Sequence, residues 1–323
     1  MTPAPFHAEI ADAPEGARAW WLTASDGVRL RAVTWAGGRR GTAVIFPGRT
    51  EFAEKYGRVA GRLVGRGFAV AVIDWRGQGL SDRHPGNPML GHVEDFRDYQ
   101  RDVAALRDLV LKLAMPEPVW LFAHSMGGCI GLRTLLERAD FRGAVFSAPM
   151  WRLHMKAATR ELTARMTRIA YLAGLGARLT PGARPEPTAV AMGYPGNPLT
   201  SDPEVFAWCL AQITAHPELA LGGPSMQWTS AALQEMTRLA IAPLPVLPAL
   251  VLLGGVETVV SSATIRRQVA QMARGVLAEF PAARHEIFME RPEIVAEVWA
   301  RIDRFLDGVA GERRAPEGRA IGG

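Results

Sequence analysis

The stretch that most constrains this chain is Val119-Trp120-Leu121-Phe122-Ala123-His124-Ser125-Met126-Gly127-Gly128-Cys129-Ile130-Gly131. Four apolar residues, Val119 to Phe122, predict a short buried strand. Ile130, Leu132, Leu135 and Leu136 then recur at helical spacing. Between them, Ala123-His124-Ser125-Met126-Gly127 is a variant of the G-x-S-x-G turn, with alanine in the first glycine position. The turn needs small residues two before and two after the serine, because strand and helix nearly touch there. It lifts the serine hydroxyl above the sheet edge and sets the following N–H groups at a helix N-terminus, where negative charge is favoured. Strand before and helix after separate this serine from a chance match.

The neighbouring segments fit the same architecture. A hairpin is expected from strands Ala19–Thr23 and Val28–Trp35 around Ser25-Asp26-Gly27. Apolar strands follow at Thr42–Phe46, Phe68–Asp74 and Gly143–Ser147, with helical spacing from Tyr56 to Gly67 and from Phe96 to Leu113. The alternation stops at Pro149 and resumes with a strand at Val246–Leu253, a helix near Ser262–Met272, a strand near Gly275–Phe280 and a helix Pro292–Leu306. Alternating buried strands and helices predict an α/β fold with a mainly parallel, doubly wound sheet. Residues 18–148 and 232–307 form its body, and 149–231 an inserted, mostly helical cap. Residues 1–17 and 308–323, rich in Pro, Ala, Gly and Arg, are expected to be poorly ordered.

An exposed serine is a weak nucleophile until a base takes its proton and an anion fixes the tautomer of that base. In this architecture the order along the chain is serine, acid, histidine. His154, His216 and His285 follow Ser125, and the first two fall in the insertion. His285 sits between the last strand and the last helix, where the carboxyl edge of the sheet presents a base. Glu257, at the end of Val251-Leu252-Leu253-Gly254-Gly255-Val256-Glu257, is the acid; Asp140, Asp202, Glu218 and Glu235 lie on helices or in the insertion. Two N–H groups should form an oxyanion hole, those of Met126 and of Arg49, which Gly48 lets approach. Of Arg49 only the backbone is required, its side chain being free to serve as a surface charge. Arg76, Gly77 and Gly79 are read as shaping a turn and His124 as structural.

Several motifs together carry a family resemblance. They are Pro47-Gly48-Arg49-Thr50-Glu51 with Lys55-Tyr56, Asp74-Trp75-Arg76-Gly77-Gln78-Gly79-Leu80-Ser81, the Ser125 turn, and Ser147-Ala148-Pro149-Met150. The set resembles the lysophospholipase and monoacylglycerol lipase branch of the α/β hydrolases. Pro-Gly-Arg, Gly91-His92-Val93 and Gly222-Gly223-Pro224 bring it nearest to bacterial membrane-associated lysophospholipases. The resemblance covers roughly residues 28–306. It implies an α/β-hydrolase fold, the triad Ser125, Glu257 and His285, and cleavage of a lipid ester through an acyl-serine. Glu257 stands where most of the branch has Asp, and Thr258 where Arg is common. A monoacylglycerol lipase or a general carboxylesterase is the close alternative. A catalytically silent lipid- or partner-binding protein is the non-enzyme one. No metal or cofactor is expected.

Charge bears on partners. The chain has 37 Lys and Arg against 32 Asp and Glu, a formal net charge of +5, but no nucleic-acid motif accompanies it, so no nucleic-acid partner is expected. From Trp151 to Thr180, Arg152, Lys156, Arg160, Arg165, Arg168 and Arg178 face one acid, Glu161, with Leu162, Met166, Ile169 and Leu172 between. A basic amphipathic helix of this kind either touches an anionic membrane surface or turns its apolar face onto the cap. No run of about 18 apolar residues and no secretory leader is visible. With two cysteines, Cys129 and Cys209, a reduced cytoplasmic protein is expected, peripheral on the inner membrane face if the helix docks.

Overall fold

The computed structural model describes residues 2–138, 140–187, 190 and 193–311. Nine strands form one sheet: β1 (Thr2–Pro3), β2 (Ala17–Thr23), β3 (Arg29–Trp35), β4 (Thr42–Phe46), β5 (Ala69–Asp74), β6 (Val119–His124), β7 (Gly143–Ser147), β8 (Ala249–Gly254) and β9 (Gly275–Phe280). Their spatial order is β1-β2-β3-β5-β4-β6-β7-β8-β9. The first three pair antiparallel, and β3 pairs antiparallel with β5; from β5 to β9 every pairing is parallel. Strands β4 to β8 are buried along nearly their whole length, which is why they read as unbroken apolar runs rather than alternating ones. The fold is that of an α/β hydrolase.

This order places the chemistry. The sheet winds one way from β4 to β5 and the other way from β6 onward, so its crevice opens where β4 meets β6. The register pairs Phe46 with Ala123, His124 with Ser147, and Gly254 with Phe280. The carboxyl ends of β4, β6, β7, β8 and β9 therefore lie along one edge. Nine helices cover or extend the sheet among the described residues: α1 (Ala8–Ala11), α2 (Gly57–Val64), α3 (Tyr99–Lys112), α4 (Met126–Glu137), α5 (Ala157–Leu172), α6 (Pro203–Ala215), α7 (Met226–Leu239), α8 (Ser262–Gln271) and α9 (Pro292–Gly311).

The segment before residue 18 departs from expectation. It is tied down rather than loose. Ala4 N–H donates to Ala19 O at 3.0 Å, and buried donors far along the chain take its carbonyls: Arg31 at Pro5, Trp35 at Pro14 and Gln212 at Ile10. Phe6 packs edge-on against Trp35. A Pro- and Ala-rich stretch has few local partners, so the partners that order it are invisible in its own composition. At the other end α9 runs on to Gly311, and the remainder of the expected tail, 312–323, lies outside the described residues.

Between β7 and β8 the chain forms α5, α6 and α7 with no sheet strand. Helix α7 straddles the boundary expected at 231 and packs against both α5 and α4. Helix α5 is amphipathic, but inverted relative to one of its two sequence readings. The small residues Ala164 and Thr167 face inward, while Leu162, Met166, Ile169 and Leu172 are 58%, 47%, 66% and 73% exposed.

Arg31 anchors the edge of the body. Fully buried, it donates from Nε to Asp74 at 2.8 Å and from Nη1 and Nη2 to the two oxygens of Glu54 at 2.7 and 2.6 Å. Asp74 also accepts from the N–H groups of Ala53 and Leu80. Gly79, at φ +51°, must lack a side chain because a Cβ there would stand 2.0 Å from the Asp74 carboxylate. Burial still pushes the Asp74 carboxyl above its ordinary value, against the pull of Arg31. Removing the cation strands two buried carboxylates. Arg31→Met is expected to lower unfolding stability by about 3–5 kcal/mol in urea melts at neutral pH, with the deficit shrinking on acidification as the orphaned carboxyls take up protons.

Candidate active site

Ser125 sits between β6 and α4 with φ 49° and ψ −114°, a backbone conformation that side-chain-bearing residues rarely adopt. The surroundings force it. A Cβ on Gly127 would stand 2.1 Å from Phe46 O, and one on Gly128 2.6 Å from the Pro149 side chain. Ala123 is fully buried, and a Cβ on Gly131 would meet its methyl at 3.3 Å, so alanine marks the upper size there. Ser125 N–H donates to Ser147 O, while Ser125 O accepts from the N–H groups of Gly128 and Met150. The turn is thus bonded to β7 and the segment after it on one side and pressed against β4 on the other.

The structure brings Ser125, His285 and Glu257 into one hydrogen-bonded chain. Ser125 Oγ lies 2.8 Å from His285 Nε2, and His285 Nδ1 lies 2.7 Å from Glu257 Oε2. With a carboxylate as its neighbour, Nδ1 carries the proton and donates, leaving Nε2 to accept from the serine hydroxyl. The extra methylene of glutamate is absorbed locally. The side chain curls so that Oε1 accepts from Val259 N–H at 2.6 Å and Val260 N–H at 3.1 Å. Burial works against the charge on Glu257, yet the imidazole and these two donors outweigh it and hold the carboxyl below its ordinary value. His285 is fixed from the cap side, its N–H donating to Pro198 O and that of Glu286 to Leu199 O.

Arg49 and Met126 lie on segments that touch, since Gly127 presses the first turn of α4 onto Phe46 and Pro47. Neither backbone N–H finds an acceptor among the described residues. The 47–50 loop is held from behind. Trp75 Nε1 donates to Pro47 O, Gln78 Nε2 donates to Gly48 O, and Gln78 Oε1 accepts from Thr50 N–H. His124, 4.9 Å from His285 ring to ring, is buried with Nδ1 3.1 Å from Ser147 O, and burial lowers its pKa. Arg76 bonds Asp102 and Asp26 in the turn after β5.

Sequence reasoning missed a buried charge cluster beneath the site. Lys55 Nζ bridges Glu51 at 2.8 Å and Glu286 at 2.7 Å, and Tyr56 donates to Glu51 at 2.6 Å. Glu51 also accepts from Gly48 N–H. Burial, the largest single influence, opposes the Glu51 charge, but Lys55, His124 and Tyr56 together outweigh it and bring its carboxyl down to about 2. The cluster links the loop bearing Arg49 to the residue after His285. Its signal was present: Glu51, Lys55 and Tyr56 fall at helical spacing within the motif, but their partner Glu286 is distant in sequence. Beside the cluster, Phe52, Leu199, Phe206, Ile213 and Leu221 line an apolar recess reaching Thr50.

Comparison with known proteins adds relatives. The chain is 27% identical over 266 residues to a probable lysophospholipase L2 of Haemophilus influenzae, covering 82% of this chain and 83% of that one. It is 33% identical over 141 residues to the human monoglyceride lipase, a stretch covering 43% of this chain and 45% of that one. Among solved structures, a soluble variant of the Saccharomyces cerevisiae monoglyceride lipase in complex with a substrate analog superposes with a TM-score of 0.71 at 19% identity. That superposition covers 94% of this chain and 100% of the other. Residues 37–292 match the family described as serine aminopeptidase, S33. With most of its length inside that match and its sheet wound as described, the chain belongs to this family of α/β hydrolases.

Proposed function

We propose that the protein hydrolyses carboxylic esters of lipids, with lysophospholipids as the favoured substrates, through an acyl-Ser125 intermediate. The observation that carries this is the hydrogen-bonded chain from Ser125 through His285 to Glu257 at the end of a strained turn. His285 Nε2 takes the hydroxyl proton as Ser125 Oγ attacks the ester carbonyl, and Glu257 stabilises the imidazolium. The N–H groups of Arg49 and Met126 meet the oxygen as it becomes anionic. The imidazolium then protonates the departing alcohol, and a water deprotonated by His285 releases the fatty acid and restores Ser125. An aminopeptidase would need a carboxylate to receive the substrate's amino group, and the buried ones beside the site, Glu51 and Glu286, are already paired with Lys55.

A membrane-facing role for α5 is supported by its exposed row of Leu162, Met166, Ile169 and Leu172. Exposed Lys156, Arg165, Arg168 and Arg178 flank this row, and among the described residues only Arg165 of these four has an ion-pair partner, Glu161. Large apolar side chains turned to solvent between cations suit an anionic lipid surface. No helix among the described residues is long and apolar enough to cross a membrane, so such contact would be peripheral.

Three outcomes are expected. Ser125→Ala should cut kcat by about four to six orders of magnitude and abolish fluorophosphonate labelling while the circular dichroism spectrum is retained. A silent binder would remain unlabelled even as wild type. Glu257→Gln should cost roughly two to four orders of magnitude in kcat at every pH tested, because the native carboxyl stays ionised through the acid limb. Wild type should co-sediment with anionic vesicles more than neutral ones, less so as salt rises, and Leu162→Ser with Ile169→Ser should weaken this. Equal pelleting with both vesicle types would rule the contact out.

A further inference from the structure

Among the described residues, the cations set into or against the core are, with one exception, well matched by acceptors. Arg31 faces Asp74 and Glu54, Lys55 faces Glu51 and Glu286, and Arg76 faces Asp102 and Asp26. Arg83 lacks a carboxylate, but donates to four carbonyls, those of Gly79, Pro88, Glu218 and Ala220. Arg49 is the exception. Its Nη2 donates to Gly222 O at 2.6 Å and its Cζ lies 5.2 Å from the Trp228 ring, yet no carboxylate pairs with it among the described residues. Its Nε is shut from solvent with no acceptor. Burial draws its pKa down to about 10, which leaves it cationic at neutral pH. Arg49 as a whole is half-buried, so a guanidinium with its Nε sealed off and one accepting carbonyl is short of acceptors that an incoming anion would supply.

The cradle is built for it. A Cβ on Gly91 would stand 2.6 Å from Nη2, and one on Gly222 would stand 2.0 Å from Pro185 O, so both backbones come close only because they are glycine. Segments 89–91 and 222–225 are laced together by Gly91 N–H to Gly223 O, Ser225 N–H to Gly91 O and Gly222 N–H to Met89 O. Trp228 is held in turn by Tyr99. These are the glycine segments that no step of the ester chemistry uses.

We infer that the side chain of Arg49 receives the phosphate of the lysophospholipid headgroup. The inference rests on the serine ester hydrolase reading above. The covalent geometry supports it. As many bonds separate the ester carbonyl carbon of a lysophospholipid from its phosphorus as separate the Arg49 amide nitrogen from its guanidinium carbon. A substrate whose carbonyl oxygen sits at the Arg49 N–H can therefore lay its phosphate along the same residue's side chain, where planar donors suit phosphate oxygens. One residue then reads both ends of the glycerol unit, and phosphate-bearing esters gain over neutral monoacylglycerols of equal chain length.

The test compares kcat/KM for a lysophospholipid and a monoacylglycerol carrying the same acyl chain, in wild type and in Arg49→Met. The lysophospholipid-to-monoacylglycerol ratio should fall about ten- to a hundredfold in the variant, chiefly through KM. An unchanged ratio, with both substrates losing equally, would make the side chain a brace and overturn the assignment. A second measurement needs no variant: against a short neutral ester, glycerol 3-phosphate should compete with wild type where glycerol does not. Equal inhibition by the two overturns the assignment. So does inhibition by inorganic phosphate without any preference for lysophospholipid, which would mark a site for the free anion. Wild type that labels at Ser125 but shows no phosphate preference removes only the role of Arg49, whereas failure to label removes the proposed function itself.

Discussion

How closely helix α4 can approach strand β4 governs the rest of the carboxyl edge. Gly127 lies against Phe46 O so tightly that no side chain fits, and that contact swings Ser125 into its positive-φ conformation. One turn on, alanine at 123 and glycine at 131 let β6 lie close to the same helix, though less tightly. From this approach follow the exposed hydroxyl, the N-terminal turn of α4 beneath it, and the contact with the 47–50 loop. The strain is offset by the bonds that Ser125 makes with Ser147, Gly128 and Met150 on either side.

The buried charges supply rigidity of a different kind. Glu51, Lys55 and Glu286 join the loop after β4 to the loop after β9, elements 231 residues apart along the chain at the Lys55–Glu286 bond. Ion pairs this deep contribute little net stability, since desolvation offsets attraction, but they penalise any arrangement that separates the partners. The same logic holds at Arg31, where β3, the end of β5, the segment after β4 that carries Glu54, and the N-terminal segment converge. Arg49 stands outside that pattern.

Much of the fold was legible in the sequence, for a physical reason. Thr42–Phe46 and Gly143–Ser147 appear as strands with the bounds their apolar runs suggest, because strands covered on both faces advertise themselves by composition, and the half-exposed edge strand Gly275–Phe280 also falls where it was expected. The positions of Ser125, Glu257 and His285 followed from strand ends and chain order. What was not legible depended on distant partners. The order in residues 2–16 comes from donors at Arg31, Trp35 and Gln212, and the Lys55 cluster needs Glu286. The side-chain direction of α5 was likewise undecided by periodicity, which gives the apolar stripe but not whether it faces α7 or water. Ala164 and Thr167 settle it, because helices pack closest through small residues.

The bonds between the His285 loop and the cap have one more consequence. His285 and Glu286 hang from the carbonyls of Pro198 and Leu199, and Arg284 reaches Asn197 and Thr200. A cap that swung away as one piece would drag the imidazole off its serine. Admission of a long acyl chain must therefore leave the 197–201 stretch in place as a fixed jamb. Loosening of that jamb would leave a protein that is fully folded in its sheet yet chemically idle.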